Sequence, residues 1–266
     1  MTTQAKLSAA VLVALVYFPP MANAAPAEDD KFSVSLGWFI TSRDTESRLD
    51  SSLGSGSGVD LEDDLGLDSS DSVVRFDAAY RVNDRHRIDI SFFDMSRDSS
   101  LPIQKDIQWG DELFTVDTAV NTSFDLNIYK AAYTYSFMRR DNGFLGVTAG
   151  VYVADSKISL AEQNVGGAEV GAITAPLPVI GLRGERYFGD RWTLRGSGEF
   201  FAIEFDNVEG SLVDLYVGMD YKVLDHMSIG LGINSVTLDV DASKNAFQGA
   251  LDWEYAGGLL FLKFDF

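Results

Sequence analysis

The chain has 266 residues, 46% of them hydrophobic, and no cysteine; this length allows one large barrel or two ordinary domains, and disulfide and thiolate chemistry are excluded. Forty acidic residues against 21 basic ones give a formal net charge of −19, and because nucleic-acid binding requires clustered Lys and Arg, no nucleic-acid partner is expected. Beyond residue 18, no apolar run approaches the ~18–20 residues that a membrane helix needs.

The first 24 residues have the three parts of a secretory signal peptide. Lys6 supplies the positive start, residues 7–18 form the apolar stretch, and Ala22-Asn23-Ala24 is a small-x-small cleavage site. No cysteine follows that site, so a lipoprotein anchor is excluded. The sequence therefore predicts a cleaved signal peptide at 1–24 and a mature domain at 25–266, the alternative being an uncleaved anchor or a buried strand.

The first predicted strand occupies residues 31–43, where Phe32 to Ile40 alternate with small polar residues in the period of two that a β-strand requires. A polar segment at 44–71, rich in Ser, Gly and Asp, follows and is predicted to be a long loop. Alternation resumes at 74–82, turns at Asn83-Asp84 and returns at 88–92, which predicts a hairpin.

A second long segment, 98–122, is interpreted as a loop whose strand-like parts form a hairpin extending beyond the membrane. Alternation then continues to the carboxyl terminus, interrupted by tight turns and loops. The alternating segments number ten, so ten strands are predicted. A hairpin at 101–120 would make twelve, and the loss of a weak strand would make eight. The later alternating segments are 129–137, 145–153, 178–182, 194–202, 213–223, 227–233 and 256–266, and the tight turns are 139–143, 189–190 and 224–226.

The chain closes on A-G-G-L-L-F-L-K-F-D-F at 256–266, in which Leu262, Phe264 and Phe266 lie on one face of a strand. This segment resembles the closing strand of bacterial outer-membrane β-barrels, whose terminal Phe is recognised by the barrel-assembly machinery. The resemblance implies that these three residues form an assembly signal.

Three features favour a membrane barrel over a soluble β-sandwich or a lipocalin-like barrel. Connections alternate between long and tight, an even strand number puts both termini at the tight-turn end, and each apolar face has the ~9–11 residues that cross a bilayer. Aromatic residues gather near the strand ends as two girdles would require. These are Phe137, Phe144, Tyr187, Phe188, Trp192, Tyr221 and Phe266 near the tight turns, and Trp38, Phe92 and Trp253 near the long loops. The predicted fold is an all-β, transmembrane, antiparallel up-and-down β-barrel.

The chain resembles the small outer-membrane β-barrel superfamily, which includes the OmpA transmembrane domain and OmpW. The resemblance rests on the signal peptide, the alternation over 31–266, the strand A-P-L-P-V-I-G at 175–181 and the terminal F-D-F. The blocks at 60–67 and 80–87 look like those of uncharacterised proteobacterial barrels. The resemblance implies a Gram-negative outer-membrane location, with contacts to membrane lipid, lipopolysaccharide and the assembly machinery, and leaves the oligomeric state open.

Charged side chains within the predicted strands are expected to point into the lumen, because Arg or Lys at the lipid midplane costs roughly 2–4 kcal/mol. Ten strands leave a narrow lumen. The charges could form a structural ladder of ion pairs or line a small, gated passage. The predicted lumen-lining residues are Arg75, Asp77, Arg81, Arg87, Asp89, Lys130, Arg183, Glu185, Arg195, Glu199, Asp214, Asp220 and Lys222.

The first long loop carries carboxylates of the type that Ca²⁺ and Mg²⁺ prefer. They are Asp60, Glu62, Asp63, Asp64 and Asp68. Their spacing does not match an EF-hand loop, and a charge run is usually solvated. They are therefore only a weak candidate metal site, and no cofactor is expected.

No enzymatic activity is predicted. Known outer-membrane hydrolases resemble one another in placing a His at the outer rim or at a membrane-facing site, whereas His86 and His226 fall beside tight turns. The sequence has no nucleophile-elbow, zinc-hydrolase or phosphate-loop motif. The predicted function is a non-enzymatic outer-membrane protein, either structural or a narrow, porin-like passive channel. The alternative is a surface binding or adhesion protein acting through loops 44–71 and 98–122.

Overall fold

The computed structural model describes residues 30–51, 54–163, 168–205, 208–244 and 247–266, so the predicted signal peptide lies outside the described residues. The described residues are almost entirely β-structure. Their strands are β1 Phe32–Leu49, β2 Val59–Asp60, β3 Ser70–Arg81, β4 His86–Pro102, β5 Ile107–Trp109, β6 Glu112–Phe114, β7 Ala119–Arg140, β8 Gly143–Glu162, β9 Glu169–Phe188, β10 Trp192–Phe205, β11 Val208–Leu224, β12 Met227–Lys244 and β13 Phe247–Asp265.

Ten of these strands form a closed antiparallel barrel in which chain neighbours are sheet neighbours, in the order β1-β3-β4-β7-β8-β9-β10-β11-β12-β13. The barrel closes where β1 pairs with β13, from Ser33↔Asp265 to Leu49↔Gly249. Closure removes both sheet edges, which a bilayer requires because unpaired backbone groups cannot be hydrated there. The predicted up-and-down barrel and its ten strands are confirmed.

The tight turns, the start of β1 and the end of β13 lie at one end of the barrel, here called the turn end, and the longer connections lie at the other, the loop end. Nearest the turn end the outward face is an apolar band, for example Leu36, Trp38 and Ile40, with 55%, 56% and 62% of each side chain accessible. Beyond Ile40 the outward positions of β1 become Ser42, Asp44 and Glu46. The band on β1 therefore covers about the length that crosses a bilayer.

The wall continues past this band, so both predicted long loops are shorter than expected. Of the segment 44–71, residues up to Leu49 belong to β1, and of 98–122, both ends belong to β4 and β7. The sequence hid these extensions because outward acidic residues alternate there with inward residues that are partly polar, such as Thr45 and Ser47. An apolar-out pattern could not detect them.

The described remaining parts of the two connections, 50–51, 54–69 and 103–118, fold together as a cap over the loop end. β2 pairs with β1 at Glu46↔Asp60, and Gln108 N donates to Ser57 Oγ at 3.0 Å, which joins the two loops. The predicted hairpin exists as β5 and β6. However, Ile107 and Trp109 on β5 are buried, so the hairpin packs onto the barrel mouth instead of extending away from it.

An aromatic layer lies inside the barrel near the middle of its length. The ring centroids of Phe39 and Tyr255 are 5.5 Å apart, those of Phe93 and Tyr255 are 6.0 Å apart, and those of Trp253 and Tyr255 are 4.7 Å apart with the rings tilted by 48°. Trp253 was predicted in an outer girdle, as was Tyr187, but both are buried inside the wall. Their register puts them on inward positions, which the clustering of aromatics near strand ends could not reveal.

The layer divides the interior into a turn half and a loop half. The loop half is an apolar core that joins the strands to the cap, and its fully buried members include Val59, Leu61, Leu65, Ile103, Ile107, Phe124, Leu126, Leu160, Leu212 and Val236. Over the described part of the chain, no helix has the length and apolarity to cross a membrane.

Candidate functional site

The turn half of the interior contains two layers of charged side chains. In the first, next to the aromatic layer, Lys130 Nζ lies 2.6 Å from Glu199 Oε2 and 2.8 Å from Asp214 Oδ2. Lys130 lies on β7, whereas Glu199 and Asp214 lie on β10 and β11, which are not sheet neighbours of β7. The ammonium group therefore spans the interior and joins opposite walls. All three side chains are buried.

Arg75 completes this first layer. Its Nε donates to Asp77 Oδ1 at 3.0 Å, and its Nη1 donates to Asn234 Oδ1 at 2.8 Å across the interior. Asn234 Nδ2 in turn donates to Asp214 Oδ1 at 2.7 Å, and the Tyr255 hydroxyl donates to Asn234 Oδ1 at 3.1 Å. Asn234 thus connects the ion pairs to the aromatic layer.

The second layer lies closer to the turn end and is built on Arg87. This guanidinium lies 2.8 Å from Asp89 Oδ1 and 2.7 Å from Glu185 Oε1, the latter across the interior from β4 to β9. Arg183 Nη1 lies 3.3 Å from Asp89 Oδ1. Arg195 Nη2 lies 2.7 Å from Asp220 Oδ1. Three guanidinium groups therefore face three carboxylates.

Two cavities lie beside these layers. One of about 90 Å³ is lined by residues of both layers, among them Arg75, Asp89 and Lys130. The other, of about 80 Å³, lies at the turn end, where Arg81 and Lys222 join its lining. All the side chains predicted to line the lumen thus lie in the two layers or at this rim.

Sequence reasoning missed uncharged members of the network, and Asn234 and Tyr255 are the two that connect it to the aromatic layer. Neither side chain carries a charge, so the cost of a charge in lipid gave no signal for them. Both lie on the same alternating face as the charged residues, and that parity is the signal that could have found them.

The acidic loop is arranged around protein donors. Asp60 Oδ1 accepts from the backbone N–H groups of Glu62 and Asp63 at 3.0 and 2.7 Å, and Asp64 Oδ2 pairs with Lys105 Nζ at 2.6 Å. The Glu62 carboxylate accepts from Thr45 N at 2.9 Å and pairs with buried Arg97, while Asp68 contributes its backbone carbonyl to Arg97 at 3.1 Å. Across the described ranges, no group of three or more His, Asp or Glu side chains is placed to hold a metal ion.

Arg97 explains why this loop enters the barrel mouth. It lies on β4 and is buried, and it pairs with Glu62 and donates to Thr45 Oγ1 at 3.0 Å on β1. A buried guanidinium without partners would cost several kcal/mol. The loop supplies those partners, so the charges that suggested a metal site have a structural role here.

The two histidines lie at the turn end. His86 Nδ1 contacts the Tyr133 hydroxyl, and His226 Nδ1 is 3.1 Å from the backbone oxygen of Asp265. His226 also lies 3.9 Å from the Asp30 carboxylate, but its side chain is 69% exposed. Neither imidazole is close to a nucleophile in a formed pocket, so the geometry gives no catalytic arrangement at these residues.

The outer wall at the loop end carries rows of carboxylates. Asp252 on β13 stands directly opposite Glu46 on β1 and Asp239 on β12, above the apolar band. Partial burial, together with the charges of Asp239, Glu46 and Asp241, raises the pKa of the Asp252 carboxyl. Like charges placed opposite each other destabilise a sheet. This row of carboxylates therefore lowers the stability of the fold.

Together, the closed ten-stranded barrel, its apolar outer band and its charged interior define the class of protein. The chain folds as a small transmembrane β-barrel of the outer-membrane type. No protein-family model matches it, and no curated protein matches it.

Solved structures resemble it in fold. The outer membrane protease OmpT from Escherichia coli has a TM-score of 0.59 and 12% sequence identity, with 90% of this chain and 98% of that chain covered. The CymD monoaromatic hydrocarbon channel has a TM-score of 0.39 at 10% identity, covering 89% of each chain. The attachment invasion locus protein Ail of Yersinia pestis has a TM-score of 0.36 at 10% identity, covering 87% of this chain and 99% of that one. At such identities the likeness to OmpT shows the fold alone, and the lower scores of the others add no argument.

Proposed function

We propose that this protein is a non-enzymatic integral outer-membrane protein whose barrel is closed, with a structural role rather than a conducting one. The observation that carries this proposal is the filled interior. The aromatic side chains of Phe39, Phe93 and Tyr255 pack against one another inside the lumen, and two layers of ion pairs that join distant strands lie beside them.

Conduction would require these side chains to move apart. Removing one partner of a buried ion pair leaves an uncompensated charge, at a cost of about 3–5 kcal/mol. Lys130 holds two carboxylates at once, and Arg87 holds two more. A solute on this path would have to break several such pairs as well as pass the aromatic rings, which supports a closed barrel at rest.

The test is conductance of the purified, folded protein in planar lipid bilayers, with an open porin in the same membrane as a positive control. We expect no openings. Regular openings of the unsubstituted protein would overturn the closed-barrel proposal. Folding is checked by heat-modifiable gel mobility, because a barrel that resists detergent runs differently before and after boiling.

A narrow, gated channel is the second candidate, favoured by the two polar cavities that reach from the turn end to the first ion-pair layer. In this case the aromatic layer would be the gate. The variant Phe93→Ala/Tyr255→Ala would then open readily, whereas the closed-barrel proposal predicts that the ion-pair layers still block it.

Surface binding through the cap is the third candidate, and its supporting observation is a pair of exposed apolar residues. Leu113 and Val116 are 57% and 49% accessible, although most apolar side chains of the cap are buried. The double variant Leu113→Ser/Val116→Ser should leave folding intact. Unchanged attachment of cells or ligands by that variant would remove these two residues as the binding surface.

We also propose that the chain is exported by a cleaved signal peptide, that it lies in the outer membrane among lipid and lipopolysaccharide, and that the turn end faces the periplasm. Assembly would be guided by Phe266, Phe264 and Leu262. Phe266 is 63% accessible, and its backbone N–H donates to Phe32 O at 2.8 Å, so the last residue is held in the closing sheet pair.

The assembly proposal is tested with Phe266→Asp. We expect a large loss of folded protein in the outer membrane, because the terminal aromatic residue would no longer be available for recognition. Leu224→Asp is the matched control, since Leu224 is also exposed at the turn end, with 61% accessibility. Equal yields of the two variants would show that Phe266 has no special role.

A further inference from the structure

The barrel wall contains an interruption between β9 and β10. Their register runs from Trp192↔Phe188 to Phe200↔Ile180 and stops there. Beyond it, β9 continues toward the loop end paired only with β8, up to Leu160↔Glu169, and β10 continues paired only with β11. In the described residues, the facing edges of β9 and β10 therefore lack ladder partners over this stretch, here called the seam.

The seam begins within the apolar band, because Val151 and Val153 on β8, which pair with Pro178 and Pro176, are still apolar and outward-facing. Ile180 and Phe200, the last pair of the ladder, are outward-facing and 56% and 55% accessible. Beyond the seam's start, β9 separates from β10 and lies close to the end of β1 and to the cap. A Cβ atom added to Gly171 would lie 3.4 Å from Leu49 Cδ1 and 3.6 Å from Trp109 Cζ2. The gap thus opens toward the lipid boundary and is covered at its top by the cap.

A second interruption of the wall, between β3 and β4, differs from the seam because the cap fills it. That ladder stops at Arg75↔Phe93, but the first loop of the cap occupies the space beyond it. Arg97 on β4 donates to the backbone carbonyl of Asp68 at 3.1 Å, and Ser99 Oγ donates to the carbonyl of Leu65. No comparable bridge between β9 and β10 occurs among the described residues above the seam's start.

Inward-facing apolar residues at the seam are incompletely covered. Ile173 and Ala175 on β9 and Phe201 on β10 pack against the apolar core but remain only partly buried. Their ladder partners on the continuous side of the wall are covered: Ala154 opposite Ala175 is 2% accessible, and Leu212 opposite Phe201 is 0% accessible. The difference arises from the missing neighbour strand and not from the residue types.

The chemistry of the β9 edge limits what can lie there. Pro176 and Pro178 have no backbone N–H, and proline in strands is confined to edges because it cannot donate to a ladder. Prolines on an open edge hinder pairing with a further strand, which argues against a strand of another chain. The outward residues of β9 from Val170 to Ile180 are uncharged, unlike the acidic rows on β1, β12 and β13.

We propose that the seam is a binding site for an acyl chain of an outer-leaflet lipid, which lies between β9 and β10 against Ile173, Ala175 and Phe201. Covering these partly exposed apolar side chains removes apolar surface from water, which stabilises the complex. The β9 edge of the site is uncharged from Val170 to Ile180, and the nearest outward charge on β8, Asp155, accepts a hydrogen bond from Thr174 Oγ1 at 2.6 Å. It rests on the proposed membrane orientation and not on whether the lumen conducts.

The experiment uses the absence of cysteine in the chain. Single variants Ala175→Cys, Ala154→Cys and Ala149→Cys are labelled with a small environment-sensitive fluorophore and folded into phosphatidylcholine vesicles. Quenching is measured with brominated acyl chains, which report contact with lipid tails, and with iodide, which reports contact with water. Ala154 is the ladder partner of Ala175 within the covered wall, and outward-facing Ala149 reports the apolar band.

We expect the label at 175 to be quenched by brominated chains about as strongly as the label at 149, several times more than the label at 154, and weakly by iodide. Quenching at 175 by iodide without quenching by brominated chains would overturn the proposal, because the seam would then be a water-filled opening. Protection from both quenchers would also overturn it, because the wall would be closed. If a label at 154 prevents folding, the comparison of 175 with 149 decides by itself, and bilayer conductance remains a separate measurement.

Discussion

The two halves of the barrel interior have opposite chemistry, and so do the outer walls that enclose them. In the turn half, Tyr129 of β7 faces outward and Lys130 faces the lumen; a few residues further toward the loop end of the same strand, Asp125 faces outward and Leu126 is buried. The strand period is unchanged, but its polarity inverts at the aromatic layer.

This inversion follows from the surroundings of each half. Lipid around the turn half favours apolar residues outside and makes outward charges costly, so charged residues collect inside and must pair. Water around the loop half permits charged residues outside, and the interior there is an apolar core, as in a soluble barrel. The same strands thus form a membrane barrel in the turn half and a water-exposed barrel in the loop half.

The largest effect is expected from removing a buried cation in the turn half, which tests whether paired charges stabilise this half of the interior. Lys130→Met leaves Glu199 and Asp214 buried without their cation, and both carboxylates are nearly inaccessible, at 2% and 6%. We expect a loss of about 3–5 kcal/mol in the free energy of unfolding. The measurement is urea unfolding in lipid vesicles, followed by tryptophan fluorescence.

Two further variants make this result specific. Lys157→Met changes the same residue type at an exposed outward position of β8 and should alter stability by less than about 0.5 kcal/mol. The triple variant Lys130→Met/Glu199→Gln/Asp214→Asn removes the stranded charges and should regain much of the loss. Equal stability of Lys130→Met and Lys157→Met would mean that the ion pairs do not hold the turn half together.

The sequence predicted the turn half better than the loop half because the lipid gives a strong rule. A charged residue such as Arg87 or Lys130 on an otherwise apolar strand has to face inward, so the charged face could be assigned without coordinates. The ion-pair partner of each charged residue could not be assigned in this way. The contacts of Lys130 with Glu199 and Asp214 depend on which residues of distant strands share a height in the closed barrel.

The loop half was hidden by its composition. The acidic residues Asp44 and Glu46 of β1 suggested a solvated loop. On β13, the alternation of Asp252 with buried Leu251 and Trp253 was present in the sequence but was not recognised as part of a strand. The cap was harder still, because Glu62 meets Arg97 only after the loop has folded back into the mouth. Period-two patterns predict strands in either half, but only if both polarities are considered.

A smaller expected effect tests whether the loop half is a packed core. Leu126→Ala removes a fully buried side chain on β7, and the cavity it leaves should lower the free energy of unfolding by about 3 kcal/mol. Leu113→Ala on the cap is the matched control, because Leu113 is 57% accessible and should cost less than about 0.5 kcal/mol. Similar unfolding midpoints for the two variants would show that the loop half is loosely packed.

The smallest expected effect concerns the outer wall of the loop half. Because the pKa of Asp252 is raised in the folded state, its carboxyl binds a proton more readily folded than unfolded, so its contribution to stability falls as the pH rises through the raised pKa. Asp252→Asn should therefore be more stable than the parent protein at neutral pH, by less than about 0.5 kcal/mol because the site is exposed and screened. This advantage should disappear as the pH falls through the raised pKa, where the parent carboxyl is protonated.

The comparison of the parent with Asp252→Asn is made by urea unfolding at several pH values and at low salt, where surface charges interact most strongly. Asp98→Asn is the control, since Asp98 on β4 stands opposite Ser123 rather than another carboxylate. Asp98→Asn removes one carboxylate that has no carboxylate opposite it, so it measures the effect of net charge alone. If both variants become more stable by the same amount, the gain comes from the lower net charge. In that case the row of Glu46, Asp252 and Asp239 does not destabilise the loop half by itself.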